Sequence, residues 1–165
     1  MKRLIALTLL AGTSLACFSA QPSFRERYDG LAKTMAPALA IRECTSNKSS
    51  GPNRDTLTEC ALTSPGAVLS LGGLNNKLTG VLLQLNVNQL ENPADLMKAG
   101  RILLRIARNK DSAREDSMEM TAMVVEAQNK LGKNICEDTP TQGTRFCLAT
   151  DDKKSYRFAI TNLKP

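Results

Sequence analysis

The chain has 165 residues, with 22 Lys and Arg against 16 Asp and Glu, and a formal net charge of +6 at pH 7. It contains no histidine, which excludes the Ser-His-Asp and Cys-His arrangements of nucleophilic enzymes. Tryptophan is absent and only 4% of the residues are aromatic. The core must therefore be aliphatic, and no aromatic platform accompanies the scattered cations, so we predict no nucleic-acid partner.

The first twenty residues are typical of a secretory signal peptide. Lys2 and Arg3 form a cationic head, an apolar run follows over residues 4–11, and small residues close the segment. The apolar run is too short to span a bilayer as a mature helix. We therefore predict that residues 1–20 are cleaved, and that residues 21–165 form one exported domain without a transmembrane span.

The sequence leaves two cleavage sites open. Cleavage after Ala20 places the bulky Phe18 at a position that prefers a small residue, whereas cleavage after Ala16 fits both small-residue positions and exposes Cys17. Cys17 then resembles the lipidated cysteine of bacterial lipoproteins. That family has Leu three residues before the cysteine, and here Leu15 lies two before it. The resemblance implies a lipid-anchored protein, as an alternative to a free periplasmic or secreted one.

The other four cysteines predict two disulfides, because an even set is expected in an exported domain. They are Cys44, Cys60, Cys136 and Cys147. Of the three pairings that four cysteines allow, the short sequence separations favour Cys44 with Cys60 and Cys136 with Cys147. A zinc site is the alternative, but neither pair has the close spacing of zinc ligands and the chain has no histidine. We therefore expect no metal and no cofactor.

The first half of the exported segment predicts one helix and four strands. Phe24, Tyr28, Leu31 and Met35 recur at helical spacing and predict a helix over residues 23–36 that ends before a proline. Polar or glycine-rich stretches over residues 46–55 and 72–76 separate segments of strand character. The predicted strands cover residues 38–45, 56–63, 67–71 and 78–85.

The second half predicts two helices and two or three further strands. Asn92 as N-cap and Pro93 at the first helical position start a helix whose apolar positions are Leu96, Gly100, Leu103, Leu104 and Ala107. A second helix starts near Asp111 and ends at Gly132. Its predicted buried side consists of Met118, Met120, Met123, Val124, Ala127 and Leu131. The last strands are predicted over residues 134–138, 144–149 and 155–161.

This order of elements predicts an α+β fold. We expect an antiparallel sheet of about six to seven strands, in one group or two, with the N-terminal helix and the central helical hairpin packed on one face. The alternation of residues alone does not decide whether the two groups of strands share one sheet.

Arg101, Arg105 and Arg108 fall on a common side of the first central helix, three and four residues apart. Guanidinium groups suit carboxylates and phosphates, so this arginine stripe is a candidate surface for an acidic protein or an anionic envelope component. The alternative is a solvated helix face whose arginines form ion pairs with Glu115 or Glu119 of the next helix.

Candidate catalytic groups are few. The carboxylate pairs Glu115 with Glu119 and Asp151 with Asp152 are better explained as a solvated helix face and a turn. The methionines of the second central helix are interpreted as core rather than as soft metal ligands. We therefore expect a non-catalytic exported protein of the bacterial cell envelope that binds another macromolecule as an inhibitor, immunity-type protein or adaptor. A small hydrolase that uses carboxylates or a Ser/Lys pair is the second hypothesis, and a membrane-surface protein anchored through Cys17 is the third.

Overall fold

A computed structural model describes residues 24–48, 55–74, 77–108, 113–139 and 143–162. The predicted signal peptide, both cleavage sites and Cys17 lie outside these ranges, and so does the predicted start of the second central helix at Asp111. Cleavage, lipidation at Cys17 and the start of this helix therefore stay predictions.

The described residues form three α-helices and seven β-strands in the predicted order. The helices are α1 (Phe24–Met35), α2 (Ala94–Arg108) and α3 (Ala113–Asn129). The strands are β1 (Ile41–Lys48), β2 (Asp55–Leu62), β3 (Ala67–Leu74), β4 (Lys77–Asn86), β5 (Ile135–Thr139), β6 (Thr144–Thr150) and β7 (Ser155–Asn162). Short 3₁₀ turns over Pro37–Leu39 and Val87–Gln89 precede β1 and follow β4.

All the described strands belong to one antiparallel sheet, in the order β1-β2-β3-β4-β7-β6-β5. The sequence left open whether the two groups of strands join. They join at β4 and β7, which pair in an unbroken register from Gly80 opposite Thr161 to Asn86 opposite Ser155. The chain between β4 and β5 contains α2 and α3 and crosses from the middle of the sheet to its edge.

One face of the sheet is buried under the helices. A single cross-strand row on that face consists of Cys44, Cys60, Leu69, Leu83, Phe158, Leu148 and Ile135. Five members of this row are fully buried, and they form one core cluster with the buried residues of all three described helices. The predicted α+β fold with helices on one face is therefore confirmed. Side chains alternate between the two faces of a strand, so the residues next to the members of this row point to the opposite face. No described helix packs on that face.

Local sequence features fix the position of α2. The Asn92 side chain caps the helix, since its Oδ1 accepts a hydrogen bond of 3.0 Å from the backbone N–H of Ala94. At Gly100, an added Cβ would lie 2.5 Å from Met120 Sδ and 2.8 Å from a ring carbon of Phe158. The absence of a side chain at this position lets α2 approach both α3 and β7.

Two residues predicted to be buried are exposed. Met118 is 70% exposed and Leu131 is 47% exposed. Met118 lies two residues before the buried Met120. A separation of two residues on a helix places the Met118 side chain on the side away from the core. Leu131 follows the last residue of α3 and so does not share the buried side of that helix.

Several strand boundaries also differ from the prediction. At its C-terminal end β1 continues to Lys48, into the predicted polar loop over residues 46–55. The predicted first strand begins at residue 38, but the segment after Pro37 forms a 3₁₀ turn and β1 begins at Ile41, because proline fixes a backbone angle that suits such a turn. The predicted turn at residues 72–76 begins too early. Gly72 and Gly73 lie inside β3, where the register with β4 shifts between them.

Both predicted disulfides are present. Cys44 and Cys60 lie directly opposite each other on β1 and β2, and Cys136 and Cys147 do so on β5 and β6. The first bridge lies on the helix-covered face and the second on the opposite face, at the two edges of the sheet. Two disulfides indicate an oxidising compartment outside the cytoplasm. Among the described residues, no helix is long and apolar enough to cross a membrane.

Candidate functional site

The arginine stripe is largely used inside the protein. Arg105 Nε donates to Asp116 Oδ2 at 3.0 Å, and Arg108 Nη1 donates to Asp116 Oδ1 at 3.1 Å. Asp116 lies on the buried side of α3 and is only 1% exposed. Its single carboxylate therefore bridges two cations of α2 and fixes the two central helices against each other.

Two further carboxylates complete this charge cluster, which consists of Arg105, Arg108, Asp116, Glu119 and Glu137. Arg108 Nη2 donates to Glu137 Oε1 of β5 at 2.6 Å and also to Glu119 Oε2 of α3. The cluster thus connects α2, α3 and β5 at one end of the helical layer. It contains two cations and three carboxylates, so its formal charge is −1 when every member is ionised.

The excess negative charge separates the pKa values of the two glutamates. Burial and the hydrogen bond with Glu119 raise the pKa of Glu137. The hydrogen bond with Glu137, together with the ion pair to Arg108, lowers the pKa of Glu119 despite its partial burial. Glu137 Oε2 is buried and has no hydrogen-bond partner among the described residues. Of the two glutamates, Glu137 is therefore the one that takes up a proton more readily.

Arg101 differs from the other two arginines of the stripe. Its side chain is half-buried, and its Nε has no hydrogen-bond partner in the part of the chain that the structure describes. Arg105 and Arg108 are held by the cluster, whereas Arg101 is not part of it, although its Nε is itself buried. Binding of an anionic partner by the stripe stays a prediction, and it now depends mainly on Arg101.

The candidate catalytic carboxylates do not converge on one another. Glu119 belongs to the charge cluster, whereas Asp151 forms an ion pair with Arg157 near the start of β7. Asp152 Oδ1 accepts hydrogen bonds from the backbone N–H groups of Lys154 and Ser155, which shapes the turn between β6 and β7. Within the described ranges, no group of three or more Cys, Asp or Glu side chains is arranged to hold a metal ion.

The bare face of the sheet, which is the face without a described helix, is the second candidate site. Two neighbouring cross-strand rows define it. One row consists of Thr45, Glu59, Ser70, Leu82, Ala159, Cys147 and Cys136, and the other of Glu43, Ala61, Val68, Gln84, Arg157 and Ala149. The middle of this face combines small and apolar side chains with Gln84 and Arg157, and the glutamates of the two rows lie on β1 and β2.

Neither the burial of Asp116 nor the bare face was predicted from the sequence. A signal for Asp116 exists, because it precedes Met120, Met123 and Ala127 at helical spacing and so places an acid on the buried side of α3. No sequence pattern predicts the position of Glu137 or the composition of the bare face, because both depend on which strands become neighbours.

Comparison with known proteins finds no matching family, no similar curated protein and no similar solved structure. The two candidate sites are therefore argued from geometry and charge alone.

Replacing Asp116 should destabilise the protein strongly. In Asp116→Ala, the mostly buried Arg105 and Arg108 lose their shared carboxylate, and removing one partner from a buried ion pair costs about 3–5 kcal/mol. Urea unfolding at pH 7 measures this loss. Asp138→Ala is the matched control, because it removes an acid whose ion pair with Arg145 is exposed, and it should change the unfolding midpoint far less. Equal effects of the two variants would contradict a structural role for the cluster.

Replacing Glu137 should change the pH dependence of stability. A carboxyl whose pKa is raised by folding stabilises the folded state fully below its unfolded-state pKa, and this contribution is lost as the pH rises through the folded-state pKa. Glu137→Gln keeps the shape of the side chain but cannot ionise. Its stability relative to the unchanged protein should therefore improve as the pH rises from about 4, near the ordinary glutamate value, toward 7. Urea unfolding across this range checks the result, and a constant difference would contradict the raised pKa.

Proposed function

We infer that this chain is a non-catalytic protein of the bacterial cell envelope, exported to the periplasm or secreted, that binds another protein through the bare face of its sheet. The observation that carries the proposal is the combination on one face of exposed apolar side chains with a charged periphery. Inhibitor, immunity-type protein and adaptor are the roles that such binding would serve.

The bare face has the anatomy of a protein interface. Leu57 and Val68 are 43% and 40% exposed on it, although both are large apolar residues. Between them along β3 lie Ser70, which has a small side chain, and Gly72, which has none. Protein interfaces combine apolar contacts with a polar rim, and Leu57 and Val68 supply two exposed apolar positions for such contacts.

The charges at the periphery define the chemistry of the partner. On the β1–β2 side, Glu43 and Glu59 are exposed. On the other side the charges are paired, because Arg145 binds Asp138 and Arg157 binds Asp151. The bare face therefore carries a local negative charge although the chain as a whole is basic. A partner with an apolar patch bordered by Lys or Arg complements it.

The compartment follows from two independent features. The disulfides at both edges of the sheet indicate an oxidising space, and the first twenty residues are typical of a signal peptide. Together they support export to the periplasm or beyond. A lipid anchor at Cys17 would keep the binding face at a membrane surface.

A charge placed on the bare face should abolish partner binding. The Val68→Glu variant replaces an exposed apolar side chain of the bare face by a carboxylate. Disruption of a residue that anchors an interface costs about 2 kcal/mol or more of binding, which corresponds to about a thirtyfold loss of affinity or more. Capture of proteins from an envelope extract of the producing cells, followed by affinity measurement with the captured protein, tests this expectation.

Two further variants make the result specific. Val125→Glu changes an apolar residue of α3 that is 51% exposed, so it alters surface charge equally but leaves the bare face intact and should bind normally. Arg101→Ala tests the arginine stripe. Loss of binding in Arg101→Ala with full binding in Val68→Glu would move the site to the helical layer and overturn the proposal.

A further inference from the structure

A pocket of about 320 Å³ opens at one end of the bare face. It lies between the turn that joins β2 to β3, which contains Pro65 and Gly66, and the turn that joins β6 to β7, which contains Asp151. Its volume is at the lower end of the range for small-ligand pockets in proteins. The pocket is therefore large enough for one short segment of a partner, but not for an extended chain.

The cross-strand register determines the floor of the pocket. Val68, Gln84 and Arg157 are direct neighbours across β3, β4 and β7, and their side chains share the bare face. An apolar side chain, an amide and a guanidinium group thus stand side by side. This combination exists only because β4 pairs with β7.

Backbone contacts hold both walls of the pocket in place. The N–H of Asn86 donates to the carbonyl of Gly66 at 2.8 Å, and the N–H of Val87 donates to the carbonyl of Lys154 at 2.7 Å. A Cβ at Gly66 would lie 2.7 Å from the Cβ of Gln89, so this position has room for glycine alone. The turns on either side are therefore tied to the end of β4, and the pocket is formed before any ligand arrives.

The polar groups of the pocket carry no net charge. Arg157 and Asp151 bind each other through two contacts of 2.9 Å, Nη1 to Oδ2 and Nη2 to Oδ1. This pairing neutralises both charges and fixes the guanidinium plane. The other N–H groups of Arg157 make no side-chain hydrogen bond to the residues that the structure describes. A carboxylate ligand would be repelled by Asp151, and an ammonium ligand would be repelled by Arg157. The pair therefore disfavours charged ligands.

Two amide side chains complete the lining. Gln84 and Gln89 are exposed at the pocket, and neither amide makes a hydrogen bond among the described residues. Each can donate and accept at once. Amide groups of this kind match another amide, which presents one acceptor oxygen and one or two N–H donors in a plane.

We propose that this pocket binds an uncharged carboxamide side chain of the partner protein. The proposal rests on the protein-binding function inferred above and names the chemistry of its anchor point. Val68 packs against the carbon atoms of the segment, while Gln84, Gln89 and Arg157 exchange hydrogen bonds with its amide.

An NMR titration of the purified full-length mature protein tests the pocket without any partner. The probe is the capped tripeptide acetyl-Gly-Asn-Gly-amide, compared with the capped Asp and Lys analogues and with glucose. We expect the Asn peptide to shift the backbone amide signals of Val68, Gln84 and Arg157 most strongly. The charged analogues should bind more weakly by about threefold to tenfold, the range that one net hydrogen bond corresponds to.

Substitutions then locate the binding. In the Gln84→Ala/Gln89→Ala double variant both side chains are exposed, so the fold should persist while the affinity for the Asn peptide falls by about threefold or more. Asn129→Ala removes an exposed amide at the end of α3, away from the bare face, and should leave the affinity unchanged. Tighter binding of glucose or of the Asp analogue, or no binding of any probe, would overturn the proposal. The peptide titration can fail even if partner capture is lost in Val68→Glu. It can also succeed even if Val68→Glu captures the partner normally. The two proposals can therefore be contradicted separately.

Discussion

The pairing of β4 with β7 is the constraint on which the rest of this structure depends. It joins a meander of four strands to a group of three across a crossover that contains α2 and α3. Because strand side chains alternate between faces, this one register places Leu83 opposite Phe158 under the helices and Gln84 opposite Arg157 on the bare face. The core, the bare face and the pocket floor are thus consequences of the same seven backbone pairs. A shift of one residue would exchange the two faces of the joined strands.

The helical layer is held to this sheet by contacts of two kinds. Apolar packing covers the middle, where Gly100 allows α2 to approach Phe158 closely. At the end near β5, the buried Asp116 and the carboxyl of Glu137 bind the arginines of α2. Buried ion pairs of this type define one geometry more than they add stability, because desolvation offsets much of their attraction. They also explain why a stripe of arginines in the sequence does not become an open cationic surface in the fold.

Much of the fold was predictable because its signals are local. The cap at Asn92, the alternation of Tyr156, Phe158 and Ile160, and the spacing of the four cysteines each depend on neighbouring residues alone. The join between the strand groups, the burial of Asp116 and the pocket depend on contacts between residues far apart in the chain, which periodicity does not encode. The exposed Met118 shows the same limit. It is apolar and close in sequence to the buried Met120 and Met123, and these neighbours alone predict that it is buried.

The register between β4 and β7 can be tested directly by cross-linking. Residues opposite each other in an antiparallel pair have Cα atoms about 4.5–5.5 Å apart, a separation that a disulfide spans. Diagonal neighbours are about 7–8 Å apart and lie beyond its usual reach. We expect the Gln84→Cys/Arg157→Cys variant to form a new disulfide under mild oxidation, detected by peptide mass mapping, and the Gln84→Cys/Ser155→Cys variant to form none. A bridge in the second variant and none in the first would contradict the sheet on which both proposed binding surfaces stand.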